Sequence, residues 1–258
     1  MGVNTQLYSD DSIEVVVAIP AYNESETLPI VVKELSQFLS EKDAILILDD
    51  SPFQIHTETQ SAVTAAVNNS KCLVFFSHNN GKSGRGAAVR RGMKLSIEKF
   101  SKLKYFVECD ADGSHQVVDI VKLKSSEIIC DLLVGSRYMK ESSIIGWPIP
   151  RRVFSKILNS VIPFMLNVPI TDITNGLRRY TPQALRQILL QEPINTGFTY
   201  LSEQAFVVHV SQLKIDEIPI IFVERIAGHS TVTWKEILTS LRGILYLLLL
   251  KKKIRMNV

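Results

Sequence analysis

The chain opens with short apolar runs separated by longer stretches of mixed polarity. Val15 to Ile19, Ala44 to Leu48, Leu73 to Phe76, Tyr105 to Val107 and Leu132 to Val134 are apolar without alternation. That is the pattern of strands covered on both faces. Between them, Glu26 to Leu39, Thr57 to Val67 and Arg85 to Phe100 carry apolar residues at helical spacing. Asn23-x-x-Glu26 supplies a capping-box pattern before the first of these helices. Strand and helix in alternation predict an α/β fold, a mainly parallel sheet flanked by helices.

The second half reads differently. Arg151 to Leu166 is basic and then apolar at helical spacing, with Pro163 predicting a kink or an early end. Gly176 to Tyr180 reads as strand, Pro182 to Leu190 and Phe198 to Val210 as helices, and Ile215 to Val223 as one further strand. Trp234 to Leu250 reads as a closing helix that runs into Lys251-Lys252-Lys253. No linker divides the chain, so a single domain over 1–258 is expected. It has a lobe over 14–140, a second over 141–232 and an apolar, basic C-terminal helix over 233–258.

Composition narrows the classes. At 258 residues the chain can bury a sizeable core. A net charge of +3 carries no nucleic-acid signal. Cys72, Cys109 and Cys130 each sit in or beside an apolar run, without metal-ligand spacing. They predict buried free thiols in a reducing compartment. No basic-then-apolar leader opens the sequence, and no run reaches the ~20 apolar residues that span a bilayer.

In open α/β sheets, ligands bind beyond the carboxyl ends of the strands. The polar loops Pro20-Ala21-Tyr22-Asn23-Glu24, Asp49-Asp50-Ser51, Lys82-Ser83-Gly84 and Asp110-Ala111-Asp112 all fall there. In extended chain Asp110 and Asp112 face the same way. Two carboxylates at a strand end are costly to desolvate without a partner. A hard cation, Mg²⁺ or Mn²⁺, is the natural one, held by one or two carboxylates plus substrate phosphates. Two nucleotide motifs fail. Gly81-Lys82-Ser83 ends like a P-loop, but Phe76 stands where its first glycine belongs. Gly84-x-Gly86 begins like a dinucleotide fingerprint, but Val89 takes the third glycine's place. The loop's amides and Lys82 remain suited to an anion.

Taken in order, the loops resemble those of the A-type-fold glycosyltransferases of family 2, and among them the polyprenyl-phosphate hexosyl enzymes such as dolichol-phosphate mannose synthase. The resemblance rests on Ile19-Pro20-Ala21-Tyr22-Asn23-Glu24, Asp49-Asp50-Ser51-Pro52, Lys82-Ser83-Gly84-Arg85-Gly86-Ala87-Ala88 with Gly92, and Asp110-Ala111-Asp112-Gly113-Ser114-His115. It continues through Gly135-Ser136-Arg137-Tyr138, Gly146-Trp147, Asp172-x-Thr174-Asn175-Gly176-x-Arg178, Gly197-Phe198 with Glu203, and Ile218-Pro219-Ile220-x-Phe222-Val223-x-Arg225. Two loops depart from the pattern. The one after Asp50 lacks the usual glycine and second acid, and Gly228-His229-Ser230-Thr231 lacks the usual lysine.

The resemblance implies transfer of a hexose, with inversion, from a nucleotide sugar to a polyprenyl phosphate at the cytoplasmic membrane face. The donor it implies first is GDP-mannose, with UDP-glucose second. Pro20, Ala21, Tyr22, Glu24, Asp49, Asp50, Lys82, Gly84 and Ala111 would line the donor in the first lobe. Asp110, Asp112 and the neighbouring Ser114 would hold the metal. Arg137 and Arg225 match family positions for the acceptor phosphate in the second lobe, with Arg151 or Arg152 and Ser230 beside them. A phosphate monoester is largely dianionic at neutral pH, its second pKa being about 6, so no general base is expected. A saccharide hydroxyl acceptor would need one, and Asp172 is the candidate, with a turn or N-cap role as its plainer reading. Glu203 fits an acceptor site or a buried helix acid equally. His115 and His229 read as structural, and His56, His78 and His209 have no context. A non-catalytic partner protein on the same fold is the remaining class. The apolar face of 151–166, with Arg151, Arg152 and Lys156 at its start, fits a helix lying in a headgroup layer and a core-packing helix equally. The apolar run 244–250, followed by Lys251, Lys252, Lys253 and Arg255, points to peripheral membrane contact or to docking on a membrane-anchoring subunit.

Overall fold

In the computed structural model, the described residues are 12–68, 70–194, 199–224 and 243. Seven strands form one sheet in the order β3-β2-β1-β4-β7-β5-β8. The first three are β1 (Val15–Ala21), β2 (Asp43–Asp49) and β3 (Leu73–His78). They are followed by β4 (Tyr105–Glu108), β5 (Leu132–Ser136), β7 (Arg178–Tyr180) and β8 (Ile215–Pro219). Every pairing is parallel except those of β7, which runs antiparallel between β4 and β5. Its N-terminal end therefore meets the carboxyl ends of its neighbours, and residues 172–177 arrive at the ligand edge. A small second sheet pairs β6 (Ser143–Ile145) with β9 (Ile221–Val223).

Helices cover both faces. One core layer packs α3 (Arg85–Lys99), α6 (Pro182–Leu190), α7 (Tyr200–Val210) and the end of α5 (Ile149–Leu166) against Val16, Leu46, Phe106 and Val134. The opposite layer packs α1 (Leu28–Ser36), α4 (Val117–Ser125) and Val63 of α2 (Phe53–Ala66) against Val17, Ile47 and Val107. Successive strand residues thus feed opposite layers, which is why the runs show no polar alternation. Gly92 lets α3 lie close on β2, since a Cβ there would come within 2.7 Å of the Leu48 side chain.

Several elements differ from the sequence expectation. The first helix starts at Leu28, with Thr27 at its N-cap and without a side-chain capping bond. The capping-box pattern is not used: Asn23 takes a left-handed φ of 59°. Thr27 instead donates its hydroxyl to Glu24 at 2.6 Å. Helix α5 runs through Pro163 to Leu166 and ends on Asn167 at φ 60°. The run 215–223 is two strands in different sheets. Pro219 has no N–H to extend a ladder, and the chain leaves β8 there to enter β9. Helix α4 and strand β6 were not expected at all. Phe198, Arg225, Ser230, His229 and, Gly243 apart, the expected 234–250 helix lie outside the described residues. No described helix is long and apolar enough to cross a membrane.

Adjacent buried arginines secure β7. Arg178 donates to the carbonyls of Asn175, Ile173 and Leu201 at 2.6–2.8 Å. On the other face Arg179 donates to the carbonyls of Ser126 and Ile128 beyond α4, at 2.6 and 2.7 Å.

Candidate active site

The acid pair sits where the pattern placed it, just beyond β4. Asp112 is buried, and its Oδ1 accepts the Ser114 amide at 3.0 Å. The Ser114 hydroxyl is buried and has no hydrogen-bond partner. His115 closes the loop. Its Nδ1 accepts the Asp110 amide at 3.0 Å, which leaves Nε2 to donate to Asn175 Oδ1 at 2.9 Å. His115 is thus structural, as its type suggested. Phe222 bridges to it, and the Val223 amide donates to the Ser114 carbonyl at 3.2 Å, so the small sheet braces this loop.

Asp110 meets a partner that the sequence reading left unassigned. Arg85, the first residue of α3, contacts Asp110 Oδ1 through Nη1. Its Nη2 donates to Glu108 Oε1 at 2.9 Å and its Nε to the Tyr200 hydroxyl at 2.7 Å. Tyr200 in turn donates to Glu108. Burial works against the Arg85 charge, yet Asp110 and Glu108 together hold its pKa well above the usual value. Burial raises the Tyr200 pKa, and the Glu108 charge adds to it, so the hydroxyl remains a donor. Glu108 is fully buried, and its Oε2 has no partner. Two sequence signals point here. A cation at a helix N-terminus opposes the dipole, and an acid inside a buried strand requires a counter-charge.

The loops that the resemblance assigned to the donor converge at the same edge. Pro20 and Ala21 end β1, and the Ala21 carbonyl accepts the Asp50 amide at 3.0 Å. Tyr22 is exposed, with the Lys82 ammonium 5.1 Å from its ring. Asp50 holds the next loop, accepting from Arg91 at 2.8 Å and from both amide and hydroxyl of Ser83. Gly84 takes φ 93° there. Asp49 is fully buried. Its Oδ1 accepts the Ser51 amide at 2.9 Å, and its Oδ2 pairs with His56 Nδ1 at 2.8 Å. His56 stacks on His78 at 3.8 Å. These histidines thus have a context that the sequence did not reveal.

The residues that the resemblance assigned to the acceptor form a second cluster. Arg137 follows β5 and is buried. It binds Asp172 in a fork, Nε–Oδ2 2.7 Å and Nη2–Oδ1 2.9 Å, and Nη2 also donates to Thr174 at 2.8 Å. Burial opposes its charge, but Asp172 raises its pKa above the usual arginine value. Asp172 is therefore not a free base, and by accepting the Thr174 amide two residues on, at 3.3 Å, it also takes the turn role. Arg151 is held by both oxygens of Glu224, at 2.8 and 3.0 Å. The Arg151 and Arg137 guanidinium carbons lie 4.0 and 5.3 Å from the Trp147 ring. The Trp147 Nε1 is buried without a partner. Arg152 instead caps the Ile144 carbonyl at 2.8 Å. Glu203, on α7, accepts the Ile194 amide at 2.9 Å.

Among the described residues, no group of three or more His, Cys, Asp or Glu side chains could hold a metal ion by itself. The acid pair nevertheless fits a cation that draws further ligands from a substrate, because Mg²⁺ usually takes only one or two protein carboxylates. The unpartnered Ser114 hydroxyl beside Asp112 is consistent with an added ligand.

Known proteins resemble this chain. The chain is 32% identical over 223 residues to an undecaprenyl-phosphate mannosyltransferase of Micrococcus luteus, covering 86% of this chain and 88% of the relative. It is 31% identical over 223 residues to a polyprenol monophosphomannose synthase of Mycolicibacterium smegmatis, covering 86% and 82%. Among solved structures, glucosyl-3-phosphoglycerate synthase of Mycobacterium tuberculosis, in complex with Mn²⁺, UDP and glucosyl-3-phosphoglycerate, superposes with a TM-score of 0.59 at 16% identity, over 93% of this chain and 80% of that one. That likeness confirms the expected fold. Residues 16–189 match the family described as Glycosyl transferase family 2, and the chain belongs to that family.

Proposed function

We infer that the protein transfers mannose from GDP-mannose to a polyprenyl phosphate, with inversion, while peripheral on the cytoplasmic face of a membrane. The observation that carries this reading is that two clusters lie on either side of β7, one beyond β4 and one beyond β5. Asp110 and Asp112 stand on one side, and Arg137 and Arg151 around Trp147 on the other. His115 and Asn175 link the two sides. The names of the two mannosyl relatives agree with it.

Asp110, Asp112 and the Ser114 hydroxyl are the residues that would hold a divalent cation. Bound there, Mg²⁺ or Mn²⁺ supplies electrostatic stabilisation of the departing diphosphate. The loops carrying Tyr22, Lys82 and Gly84 hold the nucleotide, with Asp49 and Asp50 shaping them. Arg137 and Arg151 orient the acceptor phosphate, their own positions fixed by Asp172 and Glu224. By resemblance Arg225 and Ser230, outside the described residues, serve the same phosphate. The Trp147 N–H gains its missing acceptor from that phosphate. As the acceptor arrives largely dianionic, no side chain need take its proton. This weighs against a hydroxyl acceptor, because Asp172 is already engaged by Arg137.

Membrane contact is supported by α5. Ile149, Val153, Phe154, Ile157, Val161 and Phe164 are exposed along it, Phe164 by 85%. Arg152 and Lys156 lie among them, as in helices that rest in a headgroup layer.

The test is incubation of purified protein with Mn²⁺, labelled nucleotide sugars and a polyprenyl phosphate. Labelled mannosyl lipid is expected from GDP-mannose, and Asp112→Asn should lose it while keeping the far-UV dichroism. Label found only on a saccharide acceptor would overturn the reading.

A further inference from the structure

The two acids beyond β4 are held differently. Asp110 carries a cation on its Oδ1, the Nη1 of Arg85, and both side chains remain partly open to solvent, 22% and 27% exposed. The rest of that guanidinium is anchored more deeply, by Glu108 and Tyr200. Gly176 makes the approach possible. A Cβ there would lie 2.6 Å from Arg85 Nη2 and 3.3 Å from Asp110 Oδ1.

We propose that Arg85 is a latch on Asp110, a positioning residue that opposes a bare divalent cation and lets go when the donor's diphosphate arrives. The inference rests on the reading of Asp110 and Asp112 as the metal pair. A guanidinium on Oδ1 occupies a ligand position and repels a second cation. A diphosphate offers the same N–H an acceptor of higher charge in the geometry that guanidinium matches. Only Nη1 has to change partner, because Nε and Nη2 stay with Tyr200 and Glu108. Metal and nucleotide then favour each other's binding by the same factor.

The experiment is Mn²⁺ titration of the full chain, read by the electron paramagnetic resonance of free Mn²⁺, with and without GDP. Arg85→Gln/Glu108→Gln removes the buried pair without leaving a lone charge. In that variant Mn²⁺ alone should bind about tenfold more tightly than in the wild type. Its affinity with GDP present should not rise, so the coupling between the two should fall by about the same factor. Gly176→Ala keeps every charge and only crowds the contact. It should shift Mn²⁺ binding the same way by a smaller factor, and it decides the matter if the double variant does not fold. Mn²⁺ affinity equal to or weaker than wild type in the folded variants would overturn the latch alone. Absence of Mn²⁺ binding by the wild type even with GDP would overturn the metal assignment and the latch with it.

Discussion

Replacing Asp172 with alanine isolates the largest electrostatic commitment on the acceptor side. The Arg137 and Asp172 side chains are 6% and 0% exposed. The Asp172 carboxylate accepts the Arg137 amide as well as the guanidinium fork, and also the Thr174 amide and hydroxyl. Without it, Arg137 would remain charged in an enclosure of Tyr138, Trp147 and Phe222. Breaking a buried pair on one side costs about 3–5 kcal/mol. At about 2–4 °C per kcal/mol for a chain of this size, the thermal midpoint should fall by about 6–20 °C. Calorimetry of Asp172→Ala, Arg137→Met and the double variant gives the coupling directly. The double variant should recover much of the loss, since a buried pair exchanged for apolar groups is often near neutral. A midpoint for Asp172→Ala within 2 °C of wild type (about 0.5–1 kcal/mol), or a double variant as unstable as Asp172→Ala, would refute this reasoning. Arg137→Met should in either case lose transfer to the lipid. The exposed Lys214–Asp216 pair, 62% and 42% open at 3.9 Å, is the contrast; its removal should leave the midpoint unchanged.

Two further outcomes are expected. Burial raises the pKa of Asp119, with the Ile221 amide and Lys122 pulling the other way. A raised carboxylate favours folding below its unfolded value, about 4, and loses that advantage as pH rises through the folded value. Asp119→Asn still offers an acceptor to the Ile221 amide. It should gain stability over wild type at pH 7, with the gap closing toward pH 4 in urea titrations; a gap independent of pH would contradict the assignment. On α5, Phe154→Asp/Ile157→Asp should cut co-sedimentation with anionic liposomes while leaving the midpoint nearly intact, and undiminished co-sedimentation would remove α5 from the membrane face.

Much of the fold is legible because its strands are buried on both sides. Val15 to Ile19 and Ala44 to Leu48 have no other reading. Elements that depend on partners are harder to see. The three residues of β6 form a strand only against β9. The nine of α4 mix Asp119, Lys122 and Lys124 with the apolar positions, which blurs the helical pattern. The same division runs through the site. Asp110 and Asp112 are visible as acids at a strand end, and the loops around them as one constellation. The contacts that define their chemistry span long separations, Arg85 with Tyr200 across 115 residues and Arg137 with Asp172 across 35. Spacing alone carries no trace of them. The acids expected to line the donor, Asp49 and Asp50, are engaged by His56, Arg91 and Ser83 for the same reason: their neighbours come from other strands and helices.

The side-by-side arginines of β7 have a consequence for assembly of the chain. Adjacent residues on a strand point to opposite faces, so a slip by one position would carry each guanidinium to the wrong layer. Arg178 would then meet the α1 and α4 side, away from the Leu201 carbonyl. Neither side chain can discard its charge to tolerate the change. A three-residue antiparallel strand would ordinarily be weakly registered. Here a misaligned pairing strands two permanent cations in oil, and the correct alignment is selected by the penalty on every other one. Asn175 and Gly176 reach Asp110 at a fixed offset because the error states are closed.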